Sequence, residues 1–158
     1  MRLHHAAICT RDIERSLVFW RDGLALDVIM DHTFDGDWPT LLRARSSTLR
    51  SVFLGDPAAP EAGVVELVDF GTPMDASIDN PADRAGFLLL SFNVDLDATL
   101  ARLDASGMLP DPPRQITEHG VRMAVIYDPD GVQVELVDLP AIDLGKIGAA
   151  ASSDRRGG

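Results

Sequence analysis

The sequence predicts an α+β fold: two paired βαβββ modules whose strands form a curved mixed sheet around a central cavity. Three observations point there. The strand "VVELVD" at Val64 to Asp69 returns as "VQVELVD" at Val132 to Asp138 in the second half of the chain. Upstream of each copy lies an amphipathic helix that runs into a glycine, in "DIERSLVFWRDGLAL" and "DLDATLARLDASGML". A module of this size cannot bury its own sheet, so two copies pair and their concave faces enclose space.

Each element follows from local chemistry. "LHHAAICT" reads as a strand, and "RDIERSLVFWRDG" as a helix: Asp12 caps its start, Leu17, Val18 and Trp20 give an apolar face, and Gly23 stops it. "LDVIMDHTF", "TLRSVFLGD" and "GVVELVDFG" are three further strands, separated by Gly, Pro and Asp. These make the first module, residues 1–72, and a polar, Pro-containing connector follows at 73–85. In the second module, residues 86–140, "FLLLSFNV" is a strand and "DLDATLARLDASG" a helix closed by Gly107. "PRQITEHG", "VRMAVIYD" and "VQVELVDL" are the remaining strands. The small, polar residues 141–158 read as a flexible tail.

Composition bounds the function. The 158 residues, 46% of them hydrophobic, suffice for one compact core. No apolar run approaches the roughly 20 residues that cross a bilayer, and "MRLHHAAICT" lacks the long apolar segment of a signal peptide, so the expected location is cytoplasmic with no membrane partner. The formal net charge of −11 argues against a nucleic-acid partner, which requires basic patches. A small-molecule substrate or ligand, or a metal, fits better. The single cysteine, Cys9, excludes an internal disulfide and a cysteine-cluster zinc site, and reads as a small buried strand residue.

Alternation within the repeated strands sets Glu66 opposite in facing to Val65 and Leu67, and Glu135 opposite to Val134 and Leu136. If the apolar faces pack on the helices, both glutamates face the cavity, where a carboxylate needs a partner, a proton or a metal. A solvent-facing pair is the competing reading. Whichever of His4 and His5 faces inward adds an imidazole to two carboxylates, a set suited to a divalent ion.

Together, "LHHAAICTRDIERSLVFWRDGLAL", "VVELVDFGTP", "SFNVDLDATLARLDASG" and "GVRMAVIYDPDGVQVELVD" resemble the vicinal oxygen chelate superfamily. That group contains glyoxalase I, fosfomycin-resistance proteins, methylmalonyl-CoA epimerase, extradiol dioxygenases and bleomycin-resistance proteins. The resemblance spans Leu3 to Leu139, and the "DPDG…VEL" ending is its most specific part. It implies a metal site lined by the first and fourth strands of each module. Its ligands would be His5, seven residues before Asp12 and with His4 facing away, together with Glu66 and Glu135. The remaining position, usually histidine in the metalloenzymes, falls on Leu89, with Leu88 one residue out of register; neither binds metal. Three ligands would suit Mn²⁺ or Mg²⁺ better than Zn²⁺, with Ni²⁺ and Fe²⁺ as further candidates.

The implied chemistry is an isomerase, epimerase or lyase reaction, in which the ion stabilises an oxyanion while a carboxylate, Glu66 or Glu135, moves a proton. An extradiol dioxygenase fits less well because its iron needs the histidine replaced by Leu89. The alternative is a metal-free small-molecule binding protein of the bleomycin-resistance type. Its pocket would draw on Phe34, Trp38, Phe53 and Met123, with Leu89 as the apolar replacement and with Phe53 and Met123 also reading as core; His32 and His119 belong to the expected substrate pocket, and either could instead swing in from a loop as a further metal ligand. The segment "HTFDGDWPTLLRARSS" reads as a substrate-contacting loop. The resemblance also implies a homodimer.

Overall fold

Valines and leucines at alternate positions of the two repeated strands need a covering layer, and the helices supply it. A computed structural model describes residues 4–59, 62–73, 87–109, 112–118 and 121–138. Residues 74–85 of the connector, the tail and His119 lie outside the described residues. In the first module, β1 (His5–Cys9), α1 (Ile13–Leu17, running on into a π-helical segment Val18–Gly23), β2 (Asp27–Asp35), α2 (Trp38–Leu42), β3 (Thr48–Gly55) and β4 (Val64–Asp69) follow in order. The second module contains β5 (Leu90–Asn93), α3 (Leu96–Ala105), β6 (Arg114–Glu118), β7 (Val121–Tyr127) and β8 (Gln133–Asp138).

The strand orders are β1-β4-β3-β2 and β5-β8-β7-β6, with β1 parallel to β4 and β5 parallel to β8 and the other pairings antiparallel. Each module is therefore a mixed four-stranded sheet with one helical crossover, as the duplicated pattern requires. Asp12 and Asp95 accept from the backbone N–H groups of Arg15 and Ala98, at 3.1 and 3.0 Å, and so fix where the two crossover helices begin. The "DGDWPT" segment is not all loop. Asp37 accepts from Thr40 N–H at 3.3 Å and Pro39 sits in the first turn, which is enough to nucleate the short α2.

Val52, Leu54, Val65 and Leu67 of the first sheet and Ala124, Ile126, Val134 and Leu136 of the second are buried against Phe19, Trp20, Leu96 and Leu103 in one shared core. Each such side chain contributes about 1.5–3 kcal/mol by leaving water. The modules meet helix to helix, and Gly23 makes that approach possible: a Cβ there would come within 2.4 Å of Leu103. The guanidinium of Arg102 donates to the Gly23 carbonyl at 3.1 Å at the same crossing.

The "DPDG" turn, which joins β7 to β8, closes the other end of the module boundary. Asp128 accepts the N–H groups of Asp130 and Val132, at 2.9 and 2.8 Å, and Gly131 takes the positive φ of 87° that the turn demands. Its carboxylates reach into the first module. The indole of Trp20 donates to Asp128 at 3.2 Å, while Arg11 and Ser16 donate to Asp130 at 2.9 and 3.2 Å. Burial pushes the Asp128 carboxyl up, more than the N–H groups of Val132, Asp130 and Trp20 pull it down. Burial acts the same way on Asp130, but the hydroxyls of Thr10 and Ser16 and the Arg11 donors outweigh it and hold that carboxyl low.

Two expectations are corrected here. Cys9 is exposed, not buried. It shares a strand face with His5 and Ala7, opposite the helix-facing Ile8, and it lines a gap beside the free edge of β1. His4 does not turn fully away: its Nδ1 lies 2.7 Å from Nδ1 of His5. It precedes β1, so strand alternation does not govern its direction.

Candidate functional site

Register decides which side chains share a face. In the first sheet Ala7, Glu66, Phe53 and Met30 lie in one row across β1, β4, β3 and β2, and Val68, Ser51 and His32 lie in the row beside it. His5, two residues before Ala7, and Phe34, two after His32, fall on the same face. The helices cover the opposite face, so this one is open.

On it, Nε2 of His5 approaches Oε2 of Glu66 to 3.2 Å, and the Ser51 hydroxyl donates to Oε1 at 2.5 Å. Both carboxylate oxygens are engaged. Phe53 underlies the imidazole, with ring centroids 5.4 Å apart, so His5 is braced by an aromatic face as well as by the carboxylate. Ser51 is almost wholly buried and Glu66 half-buried, which places this arrangement at the floor of the open face. His32 and Phe34 stack edge to face at 4.6 Å, and the Trp38 indole donates to the Phe34 carbonyl at 3.3 Å. Three of the expected pocket residues are thereby brought together beside the Glu66 row.

The second sheet repeats the plan with different contents. Ser91, Glu135, Val125 and Arg114 form one row across β5, β8, β7 and β6, and Val137, Met123 and Ile116 form the next. The hydroxyl of Ser91 donates to Glu135 at 2.8 Å. Ala7 is opposite Glu66 and Ser91 opposite Glu135, so two residues back from each gives His5 in the first module and Leu89 in the second. Phe53 and Met123, which also read as core, are half-buried on these open faces.

The three expected ligands are not gathered in one place. His5 and Glu66 meet, whereas Glu135 stands on the other sheet. Among the described residues no group of three or more His, Cys, Asp or Glu side chains is placed to hold a metal ion. Cys9 is no substitute nucleophile: although its side chain is exposed, partial desolvation in the gap beside β1 first, and then the charges of Glu66 and Asp130, push its thiol up.

Sequence reasoning missed Ser51, Ser91 and Arg114. The signal for the serines was present: each sits in a strand between larger residues, at a position that alternation assigns to the glutamate face. What the sequence lacked was the cross-strand register that makes each one a donor to its acid.

The fold and this face define a class, the paired-module proteins that present an acid from the fourth strand of each module to an open cleft. A family model described as the Glyoxalase/Bleomycin resistance protein/Dioxygenase superfamily matches residues 2–136, and the chain belongs to that family, the vicinal oxygen chelate superfamily. It is 37% identical over 154 residues to the lactoylglutathione lyase-like protein terB of Aspergillus terreus, covering 89% of this chain and 77% of that protein. Among solved structures, a glyoxalase family protein from Bacillus cereus aligns with a TM-score of 0.67 at 18% identity over 87% of this chain and 93% of its own. The trypanothione-dependent glyoxalase I of Leishmania major aligns with a TM-score of 0.63 at 22% identity, over 99% and 96% of the two chains. These two likenesses show the shared fold. Among the described residues no helix is long and apolar enough to cross a membrane.

Proposed function

We propose that the chain is a divalent-metal-dependent isomerase, epimerase or lyase that moves a proton on a small, oxygen-rich substrate. The observation that carries this reading is the His5–Glu66 contact braced by Ser51. An imidazole nitrogen beside carboxylate oxygens suits a divalent ion, and a hydroxyl behind the carboxylate is the outer partner that orients such ligands. The likeness to a lactoylglutathione lyase-like protein supports a lyase of this kind.

Among the described residues the donor set within one chain stops at two. We assign its completion to Glu135 of a second copy in a homodimer, which would bring the two open faces together. Exposed apolar side chains, including Val28, Ile29, Leu41, Leu42 and Ile116, support such an association. His5 and Glu66 would hold the ion, and a bound divalent ion supplies stabilisation of negative charge on a substrate oxygen. Glu66 is committed at both oxygens, so proton transfer falls to Glu135. Its carboxylate takes the proton from a carbon next to a carbonyl, and the C–H electron pair moves towards the carbonyl oxygen. Return of that proton to the neighbouring carbon isomerises the substrate, and return to the opposite face epimerises it. His32, Phe34 and Trp38 would pack the substrate's apolar part.

A second reading rests on Leu89, the apolar residue at the position that His5 holds in the first module: a metal-free binder of small hydrophobic molecules. One experiment separates the two. Untagged protein is incubated with Mn²⁺, Ni²⁺, Zn²⁺ or Fe²⁺, its metal content is measured by plasma mass spectrometry and its oligomeric state by light scattering. Deuterium uptake from D₂O is followed with a panel that begins with S-lactoylglutathione. Near-stoichiometric metal in a dimer, lost in Glu66→Gln, is the expected result. Metal-free protein after all four incubations would overturn the proposal and favour the binder.

A further inference from the structure

We propose that Arg114 and Tyr127 form the anion-binding end of a site for a small carboxylate with an apolar body, on the second module. Arg114 opens β6 beside a cavity of about 210 Å³ whose other walls include Met108, Leu109, Pro112, Val125 and Tyr127. That volume equals about seven waters, room for a chain of several carbons. Its walls are apolar apart from one guanidinium and one phenol.

What distinguishes this guanidinium is that it lines a cavity and, among the described residues, has no carboxylate partner. Arg11, Arg21, Arg50 and Arg122 each pair with a carboxylate. Arg114 instead donates through Nη2 to the Tyr127 hydroxyl, and its guanidinium carbon lies 5.7 Å from the centre of that ring. Among the described residues no carboxylate lies within ion-pair distance of it. The phenol donates its own proton to Gln133 Oε1 at 3.2 Å, so its oxygen faces Arg114 as an acceptor and holds the guanidinium in place. A phenol takes one of the five N–H donors of an arginine and neutralises none of its charge. A preset cationic fork at the mouth of an apolar cavity matches a carboxylate bidentately. In a chain of net charge −11 the general field repels anions, so this local cation would have to do the selecting.

Arg114 also lies in the same row as Glu135, with Val125 between them. Neighbouring strands are about 4.8 Å apart, so the two backbones are roughly 10 Å apart. If Glu135 is the proton-transfer group proposed above, the site fixes the acidic end of the same substrate. The binding itself does not rest on that chemistry.

The test compares hexanoate with hexanol as probes, titrated into ¹⁵N-labelled wild-type protein, Arg114→Gln and Arg114→Lys, and read at the arginine Nε–Hε resonances without turnover. Hexanoate should bind saturably with a shift at Arg114, about tenfold more tightly than hexanol. Arg114→Gln should erase that preference, and Arg114→Lys should keep part of it. Equal binding of the two probes to wild type, no saturable shift at Arg114, or a preference that survives in Arg114→Gln would overturn the proposal. The wild-type comparison decides the matter even if a variant fails to fold. Glu135→Gln serves as the control: loss of turnover with hexanoate binding intact separates this site from the proposed reaction.

Discussion

The two modules use the same strand grammar and finish it differently. In the first, Glu66 is held by a histidine from β1 and a buried serine from β3. In the second, Glu135 is held by a serine from β5, and the position matching His5 is Leu89. Duplication preserved what packing needs: Val65 and Leu67 match Val134 and Leu136, and the ion pairs Arg50–Glu14 and Arg122–Asp97 recur at matching places, at 2.7 and 2.5 Å. The open faces lie outside the shared helix-packed core, and their contents differ. One carries the His5–Glu66 contact and the other an acid beside apolar and cationic surface.

The largest expected effects test that division of labour. Glu66→Gln and Glu135→Gln should each lower turnover of an identified substrate by about 10²–10⁴-fold. Both should also lose bound metal, but Glu66→Gln, which removes the carboxylate beside His5, should lose more. Equal metal loss in both variants would erase the distinction between the modules.

Next in size is the turn that locks the modules together. Asp130→Asn should cost about 1–3 kcal/mol, because it weakens charge-assisted hydrogen bonds from Arg11 and Ser16. Asp138→Asn, at the half-exposed partner of Arg122, should stay within about 0.5 kcal/mol. Urea unfolding midpoints measure both. The pH dependence has a defined sign. The carboxyl of Asp130 is held below its ordinary value near 4, so its contribution is present above that pH and disappears as pH falls through the depressed folded value. Asp128 is raised and works in the opposite sense, its contribution fading as pH rises through the folded value. In Asp130→Asn the loss of stability on acidification should therefore be shallower than in wild type.

Leu89→His restores in the second module the residue type that β1 supplies in the first. Affinity for Zn²⁺ or Ni²⁺ should rise roughly tenfold, about 1.4 kcal/mol, in a competitive chelator titration. An unchanged affinity would mean that the two positions, though matched in register, do not serve matching sites.

The smallest difference concerns the serines. Ser51→Ala should cost about 1 kcal/mol in the same unfolding assay, since it strips a buried donor from Glu66. Ser91 is exposed, and its replacement by alanine should change stability by less than about 0.5 kcal/mol.

Much of this was legible in the residues. Aspartates at 12 and 95 marked the crossover helices, and period-two alternation put the apolar residues of β4 and β8 on one face and their glutamates on the other. Both are local properties, set within one turn or one strand. The short α2 was hidden because its five residues carry no helical period, only a cap and a proline. The exposure of Cys9 was hidden because an apolar-looking strand such as "HAAIC" does not say which face the helices will cover.

The sequence by itself determined the module, its repetition and the facing of the two glutamates relative to the core, since steric alternation and capping act between neighbours along the chain. Only the tertiary structure decided that His5 and Ser51 meet Glu66, that Glu135 stands apart on a second sheet, that the "DPDG" carboxylates bind the first module, and that Arg114 rests on Tyr127. Those depend on strand register and helix crossing. They join residues from 13 to 119 positions apart, distances over which no local pattern in a single sequence reports contact.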